Sequence, residues 1–338
     1  MKTKEMVDEA AAMLSKEDAE SFSISTMIPK DWLVREEAAW DRNLRDKTES
    51  LKNMLNRSIA KSLREKTSLP YVSDGDCRAV FDYKTGKASI ERNALFIFGR
   101  YRKHVTGISQ SRWICARCGG KGCEGCRGKG KNYESVEEKI GEPVKRAAQA
   151  VDYVMHASGR EDVDATNSAG RAFVLEVKEP GKRAIELKRI AGEIAEGKEV
   201  SVSGLKIVKR GFVELVTESH FDKTYRAEIE FEKEITADDR KMIEGIEGKT
   251  ILQRTPSRVA HRRADLVRHR KIKEIKVVDA EGRRAVLEIK AEAGTYIKEL
   301  VSGDNGRTEP SITGLVSAAE CKSLEVTKIE DEYIDFCL

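Results

Sequence analysis

The chain has 338 residues, which suits two domains at roughly 100–200 residues each. Hydrophobic residues make up 39% and charged residues 36%, and 62 Lys plus Arg against 58 Asp plus Glu leave a net charge of +4. That balance excludes a lopsided, disordered acidic or basic chain. Apolar runs such as Ala94–Phe98 fall far short of the roughly 20 residues that a membrane helix needs.

The opening stretch, MKTKEMVDEAAAML, mixes acids among its apolar residues and lacks the apolar core of a signal peptide. A cytoplasmic, reducing location is therefore expected, where the seven cysteines are not expected to pair as disulfides. The abundance of Glu and Lys also suits a heat-adapted protein.

Residues 1–65 are polar and rich in Ala, Glu and Lys, and Asp31–Leu63 predicts one or two helices. Residues 76–102 read as strands, with Lys84-Thr85-Gly86-Lys87 as a hairpin turn between two alternating runs. Leu95–Phe98 reads as a short apolar strand, and the glycine-rich segment 115–130 as neither helix nor regular strand. From Pro143, a favourable first-turn residue, Val144, Ala147, Ala148, Val151, Val154 and Met155 share one helical face up to Ser158-Gly159. Next come a charged loop, a strand at Ala172–Lys178, a helix over 182–196, and strands over 199–208, 212–217 and 224–232. Thr236 opens a helix. Strands over 274–279 and 284–291, then a helix from Thr295 to Val301, complete the pattern. The order predicts α+β with a mixed or antiparallel sheet, cut near 131–142 into domains 1–135 and 136–338.

Two features stand out. Cys115, Cys118, Cys123 and Cys126 fall within twelve residues as two CxxC pairs. Each pair supplies two ligands from one tight turn, so a structural zinc ion is the expectation; a redox role and no ligand at all are the alternatives. The CARCGGKG and CEGCRGKG repeats are also similar to the CxxCxGxG repeats of DnaJ-type chaperones, though that family's module carries four. A zinc-dependent chaperone would explain this segment and nothing else. The second feature is charge. Ile97–Lys131 holds nine Lys or Arg and one acid, and Gln253–Lys273 holds eight Lys or Arg, two His and one acid. Two basic stretches in a balanced chain suit a polyanion partner or a solvated face.

Three segments place reactive side chains at loops or element ends. They are Ser158-Gly159-Arg160-Glu161-Asp162-Val163-Asp164, Lys223-Thr224-Tyr225, and Gly294-Thr295-Tyr296-Ile297-Lys298-Glu299-Leu300. Each alone has an ordinary structural reading: solvated charge, a core tyrosine, a helix start.

Together they resemble the three motifs of the pseudouridine synthases. Gly159–Asp164, Arg254–Arg263 and Ala293–Ser311 are similar, more specifically, to the archaeal tRNA pseudouridine synthases that act on T-loop uridines 54 and 55. Leu95–Trp113 and the cysteine loop also look like that family's N-terminal region, which carries a THUMP RNA-binding domain. The resemblance covers about 90–320. It implies an N-terminal THUMP-containing RNA-binding domain with a zinc loop, and a C-terminal catalytic domain with a mixed sheet flanked by helices. It implies an isomerase that breaks the glycosidic bond of a uridine, turns the ring and rejoins C5 to the ribose, with no catalytic metal or nucleotide cofactor. Asp162 takes the role of nucleophile and Tyr225 of stacking platform; Tyr296 lines the uracil pocket. Lys298, with Arg160 second, becomes the cation that keeps a pocketed carboxylate ionised, within about 4 Å. Arg254, Arg258, Arg262 and Arg263, with Arg100, Arg102 and Lys103, would hold phosphates of the T-arm of tRNA for a monomeric enzyme. The chain has no cysteine before Cys77, where the family usually has a further CxxC. Ala165–Ala172 also departs from the family pattern. The competing reading is a non-catalytic, zinc-containing RNA-binding protein, which leaves the three motifs unexplained.

Overall fold

The computed structural model describes residues 2–41, 49–262 and 264–338. The chain forms two compact units, Met1–Phe96 with Val144–Val154 and Glu176–Glu186, and Ile97–Pro143 with Met155–Leu175 and Leu187–Leu338. The sequence-based cut near 131–142 falls inside the second unit.

In the first unit, α1 (Lys2–Leu14), β1 (Phe22–Met27), α2 (Lys30–Ala39), α3 (Leu51–Thr67), β2 (Cys77–Asp82) and β3 (Lys87–Arg92) follow in order. The strands form a sheet β1-β2-β3, parallel between β1 and β2 and antiparallel across the hairpin. Its turn is closed by the Gly86 N–H donating to the Asp82 carbonyl at 2.8 Å, with Gly86 at φ +70°. Met6, Ala10 and Leu14, one helical face of α1, bury with Ile59 and Leu63 of α3 against Phe22, Ala79 and Phe81. Ser50 caps α3 by accepting from the Asn53 N–H.

The remaining strands are β4 (Leu95–Lys103), β5 (Asp152–Ala157), β6 (Thr166–Lys178), β7 (Val200–Val208), β8 (Lys223–Phe231), β9 (Thr250–Arg254), β10 (Val267–Glu281), β11 (Arg284–Ala291), β12 (Thr308–Glu309) and β13 (Ala319–Ile329). Among the described residues they make one mixed sheet, ordered β12-β9-β10-β11-β8-β13-β6-β4-β7, with β5 added on β6. The helices are α4 (Val136–Ala148), α5 (Leu187–Glu196), α6 (Gly211–Glu218), α7 (Ala237–Glu244), α8 (Ile297–Ser302), α9 (Ile312–Leu315) and α10 (Glu332–Phe336). This is the expected α+β class. β8 is the cleanest strand: Lys223, Tyr225, Ala227, Ile229 and Phe231 all turn to the buried side, antiparallel to β11 and β13. Thr236 caps α7, accepting from the Asp239 N–H while Asp239 accepts from the Thr236 N–H.

Three expectations fail for identifiable reasons. The helix expected from Pro143 starts at Val136, contains Pro143 and ends where Gln149 takes φ +50°. The rest of the supposed face belongs to a strand: Tyr153 and Met155 are buried at period two, and Val151 is 62% exposed. The strand expected over 212–217 is the helix α6. Phe212, Val213, Leu215 and Val216 fit i, i+3, i+4 spacing as well as a strand, and so short a run cannot discriminate. β6 begins at Thr166 rather than Ala172, and its run Arg171–Leu175 is buried without alternation, as in a strand covered on both faces.

Candidate active site

The three motif segments meet in one cleft of about 310 Å³ in the second unit. The loop between β5 and β6 supplies Asp162, β8 supplies Tyr225, and the segment entering α8 supplies Tyr296 and Lys298. Lys223 and Tyr225 share the buried face of β8 because they are two residues apart on a strand. Burial pushes the Tyr225 phenol up to about 12, with Arg171 opposing. Burial, with Arg171 adding to it, lowers the Lys223 amine to about 8. Its Nζ donates to the Phe221 carbonyl at 3.0 Å. Tyr296 is fixed through its backbone: its N–H donates to Gln253 Oε1, and its carbonyl accepts from Gln253 Nε2, both at 2.9 Å.

Asp162 sits in a chain of alternating charge. Arg258 Nη1 and Nη2 reach its two carboxylate oxygens at 3.0 and 2.9 Å. Lys298 Nζ lies 3.8 Å from Oδ2, inside the expected 4 Å, and 2.5 Å from Asp164 Oδ1. Arg258 Nε donates to Glu299 Oε1 at 2.7 Å. Burial opposes charge on Arg258, but the hydrogen bond to Glu299 and the attraction of Asp162 outweigh it and hold the guanidinium above its usual range. Burial likewise works against Asp164, yet Lys298 holds its carboxyl below the usual range.

Beneath the loop lies a second, buried layer. Glu161 accepts from Arg171 Nε at 2.8 Å and from the Tyr101 hydroxyl at 2.7 Å. Arg171 also donates to the Ser158 carbonyl at 2.7 Å, and Gln110 Nε2 donates to the Gly159 carbonyl at 2.9 Å. Lys103 Nζ donates to the carbonyls of Asp162 and Val163 at 3.0 and 3.1 Å. Gly159 takes φ +75°, and a Cβ there would come 3.2 Å from Arg171 Nη1. The loop backbone is thus held from below, which leaves the Asp162 carboxylate facing the cleft.

The chain matches the family model described as "Pus10, C-terminal" over residues 96–330. It is 40% identical to the tRNA pseudouridine synthase Pus10 of Archaeoglobus fulgidus over 92% of this chain and 87% of that one. It is 39% identical to the protein of the same name from Methanocaldococcus jannaschii, over 98% of this chain and 73% of the other. The chain belongs to the Pus10 family. It is an isomerase of the pseudouridine synthase class. Among solved structures, a Cbf5-Nop10-Gar1 complex aligns at 19% identity and TM-score 0.35 over 56% of this chain and 45% of that one, too distant a likeness to carry an argument.

Against this Pus10-family frame, the expected RNA contacts divide. Lys103 is 1% exposed and serves the loop beneath the cleft, so the expectation that it grips phosphate is corrected. Alternation along β4 turns it inward with Tyr101. Arg100 is tied to Asp331 at 2.8 Å and Asp335 at 3.0 Å, and Arg102 Nε donates to the Ser168 carbonyl. Arg254 is exposed and pairs with Asp265 at 2.6 Å. Arg258 faces Asp162. Arg160 is exposed at the cleft's rim. Arg262 is described only as the last residue of the 3₁₀ turn Ser257–Arg262, and Arg263 lies outside the described residues. Glu161, Lys223 and Glu299 lie inside the three motif segments but carry no assigned role in the sequence reading, and Arg171 lies outside them. The partners of all four are set by the fold, and no local pattern marks Arg171 as the partner of Glu161.

The cysteine loop is a separate centre. The four sulfurs lie within 4.8 Å of one another, with separations of 3.9 Å (Cys115 to Cys123), 3.9 Å (Cys118 to Cys126) and 3.7 Å (Cys123 to Cys126). A tetrahedral ion with metal–sulfur bonds of about 2.3 Å sets its ligands about 3.8 Å apart, so the residues fit. Backbone N–H groups of Cys123 and Gly130 each donate to Cys126 Sγ at 3.2 Å. These donors, the Cys123 N–H foremost, bring the Cys126 thiol down to about 6, a thiolate ready for a metal. Two glycines are sterically required, since a Cβ on Gly122 would meet the Gly128 carbonyl oxygen at 2.7 Å and one on Gly130 the Gly120 oxygen at 2.3 Å.

Proposed function

We propose that this protein isomerises uridines 54 and 55 in the T-loop of tRNA to pseudouridine, with Asp162 as nucleophile. The observation that carries the reading is the Asp162 carboxylate, held at the cleft by Arg258 at 2.9 Å and Lys298 at 3.8 Å. A carboxylate entering a pocket closed by substrate loses water, and a neighbouring cation favours its charged form. The target uridine must leave its stack at a cost of a few kcal/mol, and an aromatic face returns about 1–3 kcal/mol. Tyr225 supplies that face and Tyr296 lines the uracil pocket. The exposed basic residues of 253–273 other than Arg258, with residues 1–135 as the THUMP-containing RNA-gripping part, hold the T-arm. Cys115, Cys118, Cys123 and Cys126 carry one structural zinc ion, which supplies folding energy rather than chemistry. The enzyme works as a cytoplasmic monomer.

The sequence and name of the relatives support the tRNA substrate, and the gathering of the three motif segments in one cleft supports the roles. The test is incubation of the protein with unmodified tRNA and mapping of pseudouridine at single-nucleotide resolution. Pseudouridine at 54 and 55 and nowhere else is expected. Modification confined to other positions overturns the assignment.

A further inference from the structure

Glu299 has no role in the reading above. Its side chain is buried, with the residue 5% exposed, and its Oε2 has no hydrogen-bond partner among the described residues. Its Oε1 accepts from Arg258 Nε at 2.7 Å. A buried carboxylate with one oxygen unpartnered is costly unless the other oxygen's partner is a fixed cation.

The segment that carries Arg258 is pinned. Ser257 donates to the Asp304 carboxylate through its N–H at 2.8 Å and its hydroxyl at 2.6 Å. Val259 is buried, and Thr255, fully buried, donates to the Ala264 carbonyl at 2.7 Å. Arg258 is therefore a built part of the cleft rather than a swinging arm. Were it to leave for a phosphate, Glu299 would be stranded as a buried charge.

We infer that Glu299 is a positioning residue that holds Arg258 as a second, orienting cation on Asp162. The inference rests on Asp162 being the nucleophile. The two cations differ in what they can do. Lys298 is a point charge shared between Asp164 at 2.5 Å and Asp162 at 3.8 Å. Arg258 is a planar fork with one N–H on each carboxylate oxygen, which fixes the plane of the group as well as its charge. Each oxygen retains a further lone pair for attack.

The experiment compares wild type, Glu299→Leu, Glu299→Gln, Arg258→Met, the double variant Arg258→Met/Glu299→Leu, and Asp162→Asn on unmodified tRNA. Single-turnover rate at saturating tRNA, tRNA Kd and thermal melting are measured for each. Loss of a preorganised charge partner slows a reaction by about 100-fold, and that is expected for Arg258→Met with Kd within about twofold. Glu299→Leu should cost about tenfold in rate, while Glu299→Gln, whose amide oxygen still accepts from Nε, stays within about threefold of wild type. Because Glu299 acts through Arg258, the double variant should be no slower than Arg258→Met within about twofold. The inference is overturned if the two losses multiply, or if Glu299→Leu and Glu299→Gln slow the reaction equally in step with their melting. It is also overturned if Arg258→Met weakens tRNA binding while the rate at saturation stays unchanged, which would make Arg258 a phosphate contact. An active Asp162→Asn sinks the underlying reading instead; an inactive one beside an unaffected Glu299→Leu sinks this inference alone.

Discussion

In the cysteine loop four sulfurs placed to hold a metal ion come from twelve consecutive residues. In the cleft Arg258 reaches Asp162 across 96 residues of chain and Lys298 reaches Asp164 across 134. The first centre is a local knuckle, closed by glycine turns and by backbone hydrogen bonds to sulfur. The second is an intersection of a loop, a central strand and a helix start, and exists only when the sheet is formed. The two should therefore fail differently: the loop through loss of the zinc proposed for it, the cleft through the buried layer that aims the Asp162 loop.

The largest expected effect lies in the loop. Structural zinc contributes on the order of 10 kcal/mol in small Cys sites. The protein should contain about one zinc per chain, and stripping it with a chelator should open residues 115–130 to protease. A metal-free protein that stays resistant there and stays fully active would break the contrast. In the cleft, Arg171→Met strands Glu161, which is fully buried with it. Removing one partner of a buried pair costs about 3–5 kcal/mol, read by denaturant unfolding, and a loss under about 1 kcal/mol would show that the layer does not hold the loop. Lys298→Met should lower the single-turnover rate by about 10²–10³-fold with tRNA affinity nearly unchanged, and Lys298→Arg should be partly tolerated. A variant that instead loses affinity and keeps its rate would move Lys298 to the RNA interface.

The smallest effect is a pH dependence of stability. Lys223 titrates near 8 in the fold and near 10.4 when unfolded, so between those values the unfolded chain binds more protons. The buried amine destabilises the fold fully below about pH 8, and stability recovers as pH rises toward 10.4, a gain of at most about 3 kcal/mol. Lys223→Met should flatten that rise relative to wild type. Parallel curves would place the amine in water.

Where local physics decides structure, the sequence was a sufficient guide. The alternation of TYRAEIEFE became β8, and Thr236 with Asp239 became a reciprocal cap. The α4–β5 boundary and α6 were misread because short apolar runs satisfy both periods, and only packing chooses. The same division holds for the cleft. Asp162, Tyr225, Tyr296 and Lys298 were picked out by their motif segments, which the structure brings together. Arg258 and Lys103 were assigned to phosphate because a basic residue in a basic stretch reads as surface. Their partners, Asp162 and the carbonyls beneath it, lie far away in sequence, and no local pattern marks them.

The most direct test of the account is Asp162→Asn on unmodified tRNA, with tRNA binding and pseudouridine measured on the same preparation. The substitution keeps the shape of the side chain and removes the charge and the nucleophilic oxygen. The account predicts a folded protein that binds tRNA within about twofold of wild type, the tolerance allowed for a group that acts mainly in the transition state, and forms no pseudouridine. Pseudouridine formed at a rate near that of wild type would contradict it and would turn attention to Asp164.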